Sequence, residues 1–341
     1  MKAVLLDNNK VHLIDCPEPR LQNPLDVKVK VCYASICGYE MMVYAGTASP
    51  ESNFLVGHET SGIVVEIGEE VTTFQVGDRV TFDLFLSCGE CIMCRCGKFA
   101  YCEDVYSASG QMREYVVRPQ KSLHKLHDQL SLLAGCQIEH LTMGMRALER
   151  AQLDYGKTML ILGGGAAGLM MLKLALLHPV SSVAVVEPNP QKRELALRFG
   201  ASATFDPYSP DFFNAVTQTL NTNGFDTVVE ASGKAASAKT AFHFVNRGGA
   251  LIYFGLYGMN YEMPLNLFSL YWKDITISAV YPKPNLTPDA IELAPRLALE
   301  ELITAKFPFE QAAQAFAEKA SGNHAKVVLD FTEGRFDQIL V

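Results

Sequence analysis

The sequence predicts an α/β protein of two domains, one β-rich and one a doubly wound parallel sheet, on three observations. Up to about His140 the chain is dense in short β-type runs broken by Gly, Pro and Asp turns. From about Tyr155 apolar strands alternate with longer helical stretches, the signature of βαβ units. A Gly-x-Gly-x-x-Gly turn stands where the first of those strands meets its helix.

The β-rich region carries Val27 to Ala34, Ser61 to Ile67, Arg79 to Phe85 and Arg113 to Val117 as strand-like runs. The alternating region reads as strand Thr158 to Leu162, helix Ala166 to Leu177, strand Ser182 to Val186 and helix Gln191 to Phe199. It continues through Thr227 to Glu230 and Ala250 to Phe254 and ends near Ile275 to Ala279. Two helical stretches follow, Asp289 to Ile303 and Phe309 to Ala320, before a strand-like Lys326 to Phe331 that can rejoin the first domain.

With 341 residues, 49% hydrophobic and 19% charged, the chain has material for two cores. A formal charge of −8 and the lack of any long Lys/Arg run argue against a nucleic-acid surface and for a small-molecule partner. No apolar segment reaches the ~18 to 20 residues that cross a bilayer, and MKAVLLDNNK lacks the features of a signal peptide. The expectation is a cytoplasmic protein without a membrane partner.

Nine cysteines in a chain with no export signal point to metal or reactive roles rather than a disulfide framework. Cys88, Cys91, Cys94 and Cys102 follow a C-x2-C-x2-C-x7-C spacing that puts four thiolates on one short loop. A closed tetrahedron of sulfur ligands suits structural zinc, and so compact a loop has little else to hold it together. Disulfides or free thiols are the alternatives, and Cys96 is a spare. A four-thiolate site has no open position, so it stabilises rather than reacts.

Cys37 in SICGYE and His58 with Glu59 in VGHET sit at Gly-flanked bends beside strand-like runs. A mixed sulfur, nitrogen and oxygen set suits catalytic zinc with one water-occupied position. Glu139 in CQIEHL, a carboxylate in an apolar stretch where an unpaired buried charge is costly, is the candidate third ligand. Cys37 and Glu139 together neutralise Zn²⁺ and neutral His58 completes the set; Glu59 is then an outer group or an exchanging ligand.

In TMLILGGGAAGLMMLKLALL, Gly163 permits a tight turn, Gly165 lets the backbone approach a pyrophosphate, and Gly168 allows close helix packing. The first helical amides, at Ala166 and Ala167, face the anion. Glu187 ends the next strand 19 residues after Gly168, where a carboxylate accepts from the adenosine ribose hydroxyls and repels a 2′-phosphate. NAD is therefore expected over NADP. Lys192 is either a ribose or adenine contact or a solvated helix charge.

With these motifs in order, the chain resembles the zinc-dependent medium-chain dehydrogenase/reductase family nearly end to end. ICGYE resembles its Cys-Gly-Ser/Thr-Asp segment, VGHETSGIVVEIG its His-Glu segment, CGECIMCRCGKFAYC its structural-zinc lobe, and GNHAKVVLDF its closing strand. QIEHL is similar to the Glu-Pro-Leu segment of the sorbitol and threonine dehydrogenase branches. The resemblance implies a GroES-like catalytic domain, residues 1–143 and 281–341, with a Rossmann domain, residues 144–280, inserted. It also implies two zinc ions per chain and a homodimer or homotetramer.

Two departures stand out. Tyr39 replaces the usual Ser or Thr of the proton relay, so the proton passes through Tyr39 or through water, or the ring only shapes the pocket; Met42 stands where many relatives have a relay His. His140 replaces the Pro after Glu139. The expected reaction is hydride transfer to NAD from the secondary alcohol of a polyol, cyclitol or amino alcohol bound at Cys37, His58 and Glu139, with Glu59 tuning the metal. The substrate class follows from the resemblance alone. The alternatives are an aminocyclitol or sugar-phosphate dehydrogenase and a catalytically idle zinc and nucleotide binder.

Overall fold

The computed structural model describes residues 1–7, 9–48, 54–218 and 224–332. The chain divides into two compact units, residues 1–142, 282–321 and 326–341 in one, 143–281 and 322–325 in the other. The first unit therefore draws on three separate stretches of chain.

The first unit is built on Asp26–Ser35, a ten-residue strand whose Val27, Val29 and Val31 are fully buried. β-Branched side chains suit such a pleated, covered surface. A seven-stranded sheet runs in the order Leu123–Lys125, Arg79–Phe82, Glu59–Ile67, Asp26–Ser35, Lys326–Asp330 and Ile303–Pro308, with Tyr115–Pro119 also pairing Asp26–Ser35. A smaller sheet holds Lys10–Asp15, Lys2–Asp7 and Phe54–Leu55. Their shared core includes Val4, Val29, Val64, Phe82, Phe316 and Val327.

The helical stretch expected from Asp289 to Ile303 is broken. A helix covers only Thr287–Leu293, a 3-10 turn Ala294–Arg296 contains Pro295, and Ala298 takes the left-handed conformation at φ 44° before a second turn, Leu299–Leu302. Proline lacks the N–H that an α-helix needs, which explains the stop. The alternating burial of Ile303–Pro308 then makes a strand that the apolar pattern had hidden.

In the second unit six strands, all parallel, are ordered Ala203–Phe205, Ser182–Val186, Thr158–Leu162, Phe225–Glu230, Val245–Tyr253 and Thr276–Ala279. The order reverses between Thr158–Leu162 and Phe225–Glu230, and every residue of Thr158–Leu162 is buried. Sheets covered on both faces demand such continuous apolar runs. Helix Pro190–Arg198 starts on proline with Asn189 capping it, the Asn189 side chain accepting the Lys192 N–H at 3.1 Å. Among the described residues no helix is long and apolar enough to cross a membrane.

Candidate active site

Strand register assembles the site in the first unit. Ser35 pairs with Glu59 on one side and with Val328 on the other. Cys37, two residues beyond Ser35, His58, one before Glu59, and Lys326, two before Val328, are thus delivered to one end of the sheet from three remote parts of the chain.

Glu40 organises two of them. It lies three residues after Cys37, on the first turn of helix Gly38–Tyr44, the spacing at which a side chain reaches back to a helix start. Its Oε2 accepts the Cys37 N–H at 2.6 Å, while Oε1 accepts the Gly57 N–H at 3.0 Å and lies 3.1 Å from His58 Nδ1. Glu40 is completely buried. With the Nδ1 hydrogen directed at Glu40, the ring lone pair is on Nε2, the usual outer-carboxylate arrangement for a ligating imidazole. Sequence reasoning missed Glu40, although its spacing from Cys37 was the available signal.

Ligand atoms of Cys37, Glu40 and His58 lie within 4.8 Å of one another, as do those of His58, Glu59 and Glu139. The four residues expected at the catalytic metal therefore fall into two overlapping trios that share His58. Glu59 is already engaged: Lys326 Nζ forms an ion pair with Oε2, and His140 Nδ1 is 3.8 Å from Oε1. Burial acts to raise the Glu59 pKa, but Lys326, His140 and His58 outweigh it and hold the carboxyl at about 2. Lys326, 2% exposed, was also missed; a lysine inside the apolar run AKVVLDF was its signal, since a charge buried there must have a partner.

Glu139 stands on the first turn of helix Ile138–Ala151, buried, with no ion pair among the described residues. Burial, only partly countered by His58, pushes its carboxyl up to about 7. Burial likewise raises the Cys37 thiol against the opposing pull of His58. His58 is raised well above its usual value because Glu40 and Cys37 overcome the effect of burial. Buried acidic donors thus crowd around His58, and the raised Glu139 carboxyl and Cys37 thiol are groups whose ionised forms a divalent cation would stabilise. The donor set fits zinc. Tyr39 is 39% exposed beside Cys37, and Met42 packs against the core.

The cysteine lobe fits a second ion. Cys88, Cys91, Cys94 and Cys102 present sulfurs within 4.8 Å of one another, with Cys88 to Cys102 at 3.5 Å, Cys88 to Cys94 at 3.9 Å and Cys91 to Cys102 at 4.0 Å. A tetrahedron with ~2.3 Å zinc–sulfur bonds has edges of about 3.8 Å, whereas a disulfide needs ~2.05 Å. All nine cysteines are unbridged. Backbone N–H groups of Cys88, Glu90, Cys91 and Cys94 point at these sulfurs, as donors do around thiolates. Donors on Glu103 and Cys94 lower the Cys91 thiol to about 6.

In the second unit Gly163 takes φ 111°, and a Cβ on Gly168 would stand 1.8 Å from the Gly163 oxygen, so both positions require glycine. A Cβ on Gly165 would meet nothing within 4 Å, which leaves open space before the helix Ala166–Ala175 whose amides begin at Ala166 and Ala167. Glu187 lies against this turn. Its Oε2 accepts the Gly164 N–H at 2.7 Å, and its Oε1 accepts the Asn189 N–H at 3.0 Å and pairs with Lys192 Nζ at 3.1 Å. Lys192 is thus a partner of Glu187 rather than a solvated charge.

A β-rich domain with a mixed-donor metal site, a four-cysteine lobe and a parallel-sheet dinucleotide turn define a zinc-binding dehydrogenase. The family model for the alcohol dehydrogenase GroES-like domain matches residues 23–128, and that for the zinc-binding dehydrogenase domain matches residues 166–298. The chain belongs to the zinc-dependent medium-chain dehydrogenase family, in its sorbitol dehydrogenase branch. It is 29% identical over 327 residues to a sorbitol dehydrogenase of Bacillus subtilis, covering 92% of each chain. It is 28% identical over 346 residues to a D-xylulose reductase A of Aspergillus oryzae, covering 96% of each. The solved structure of alcohol dehydrogenase TADH from Thermus sp. ATN1 superposes with a TM-score of 0.85 at 27% identity, over 97% of this chain and 99% of that one.

Proposed function

We propose that this protein is a zinc-dependent oxidoreductase that moves a hydride between NAD and the secondary alcohol of a small polyol, cyclitol or amino alcohol. One observation carries the reading. Glu139, buried and without an ion pair among the described residues, offers a ligand atom within 4.8 Å of those of His58 and Glu59, and His58 stands equally near Cys37 and Glu40. The sorbitol dehydrogenase and D-xylulose reductase relatives favour a polyol as substrate.

We assign Cys37, His58 and Glu139 as holders of the catalytic zinc and Cys88, Cys91, Cys94 and Cys102 as holders of the structural one. Zinc supplies the Lewis acidity that acidifies an alcohol, and NAD accepts the hydride. Glu40 fixes the His58 ring so that Nε2 faces the metal position. Lys326 and His140 keep Glu59 occupied as an outer carboxylate. Tyr39, partly exposed at the start of its helix, takes the alcohol proton toward solvent. Gly163, Gly165, Gly168 and the amides of Ala166 and Ala167 receive the pyrophosphate, and Glu187, held by Lys192, receives the ribose hydroxyls.

Copies of the chain associate as a homodimer or homotetramer. The Thr276–Ala279 strand ends the parallel sheet beside the exposed Leu267, Phe268, Tyr271 and Trp272, and an uncovered apolar edge of this kind favours a partner. Nine unbridged thiols suit the reducing cytoplasm. The test is metal analysis followed by NAD reduction over polyols, cyclitols and amino alcohols, with Cys37→Ser alongside. Two zinc ions per chain and turnover abolished in Cys37→Ser with NAD binding kept are expected. Full activity in a metal-free Cys37→Ser protein overturns the assignment.

A further inference from the structure

Glu230 ends the Phe225–Glu230 strand and is completely buried, yet its partners are neutral donors rather than a cation. Oε1 accepts the Ser232 N–H at 3.0 Å and the Ser232 hydroxyl; Oε2 accepts the Gly233 N–H at 3.1 Å and the Tyr257 hydroxyl. Its backbone oxygen accepts the N–H groups of Phe254 and Gly255, both at 2.8 Å. One residue thereby ties the loop after its own strand to the loop after Val245–Tyr253.

These loops touch backbone to backbone. A Cβ on Gly255 would stand 2.4 Å from the Gly233 nitrogen, and one on Gly233 2.4 Å from the Leu256 oxygen. The dinucleotide turn abuts the same hub, since a Cβ on Gly163 would lie 2.9 Å from the Ser232 nitrogen. Tyr257 is stacked on Tyr261, ring centroids 5.6 Å apart at 22°, and meets Tyr253 edge-on. An apolar side chain would fill the Glu230 position without the desolvation of a carboxylate, so its acceptors serve geometry.

In a doubly wound sheet of this order the dinucleotide lies across the switch point, one mononucleotide half on each side, outside the carboxyl ends of the strands. Glu230 and Tyr257 stand on the side opposite Glu187. Resting on the dinucleotide reading above, we propose that Glu230, through Tyr257 and Ser232, is a positioning residue that shapes the wall receiving the nicotinamide half of the cofactor and leaves the adenosine half untouched.

The experiment measures the affinities of the zinc-loaded protein for NADH and for ADP-ribose, which lacks the nicotinamide. Tyr257→Phe removes one donor at nearly constant volume, and Glu230→Gln keeps the shape while setting an amide against the Ser232 and Gly233 N–H groups. Tyr257→Phe is expected to weaken NADH by about 5- to 30-fold, the loss from one unmade buried hydrogen bond, with ADP-ribose within about twofold. Glu230→Gln is expected to follow the same pattern more strongly; if it does not fold, Tyr257→Phe decides. Equal losses for both ligands, or none for either, overturn the proposal. A wild-type protein that binds neither ligand overturns the dinucleotide reading itself, and the proposal with it.

Discussion

The ion pair between Lys326 and Glu59 offers a sharp test, because both side chains are almost wholly buried. Holding the Glu59 carboxyl at about 2 rather than at ~4.3, its ordinary value, corresponds to about 3 kcal/mol of stability at neutral pH. That figure agrees with the ~3 to 5 kcal/mol lost when one member of a buried pair is removed. Because His140 and His58 also depress the carboxyl, Lys326→Met is expected to destabilise the protein by up to this amount, and Glu59→Gln by a comparable one. The double variant should lose about 2 kcal/mol less than the sum, because neither charge is then left alone. Because the Glu59 carboxyl is depressed in the folded state, its contribution is fully present above ~4.3 and is lost as pH falls toward about 2. The gap between wild type and Lys326→Met should therefore be widest near neutrality and narrow across that window. Urea unfolding followed by far-ultraviolet circular dichroism at fixed free zinc measures all four corners of the cycle. Losses that add to within ~0.5 kcal/mol would refute the coupling.

Other perturbations separate the remaining parts of the molecule. Cys102→Ser should lower the zinc content from two ions per chain to one, read by elemental analysis, and expose the lobe to proteolysis, since three thiolates hold structural zinc poorly. Gly168→Ala forces a Cβ to within 1.8 Å of the Gly163 oxygen and should weaken NADH binding more than tenfold while the zinc content stays unchanged. Glu187→Ser removes the carboxylate that opposes a 2′-phosphate and leaves Lys192 free to pair with one; the ratio of NADP to NAD turnover should rise at least ~10-fold. With the Glu139 carboxyl at about 7, a proton competes with metal below that pH, so chelator titrations should find the mixed-donor site losing zinc more readily at pH 6 than at pH 8.

The parallel sheet was the most legible part of the fold. Thr158 to Leu162 and Ser182 to Val186 were readable to the residue because strands covered on both faces are written as unbroken apolar runs. The returning segment was not, since Asp289 to Ile303 keeps an apolar texture through a proline and a left-handed alanine, and texture alone does not mark where a helix stops. In the site, the candidate ligands Cys37, His58 and Glu139 and the four lobe cysteines stood out through residue type and spacing. Their neighbours did not: Glu40, despite its spacing from Cys37, reads as an ordinary helix-start acid and Lys326 as one charge in a terminal strand, and the register around Ser35 reveals what each one faces.

The position of Lys326 in the chain has a consequence for biosynthesis. The ammonium group that balances Glu59 belongs to the last described strand, Lys326–Asp330, so a growing polypeptide on the ribosome can complete every strand of the parallel sheet before that cation has been synthesised. Until then His140 and His58 are the basic groups near the carboxylate. The dinucleotide-binding half can thus mature during translation, while the metal pocket closes only as the tail arrives, and chains released early would carry a folded nucleotide fold attached to an unfinished centre.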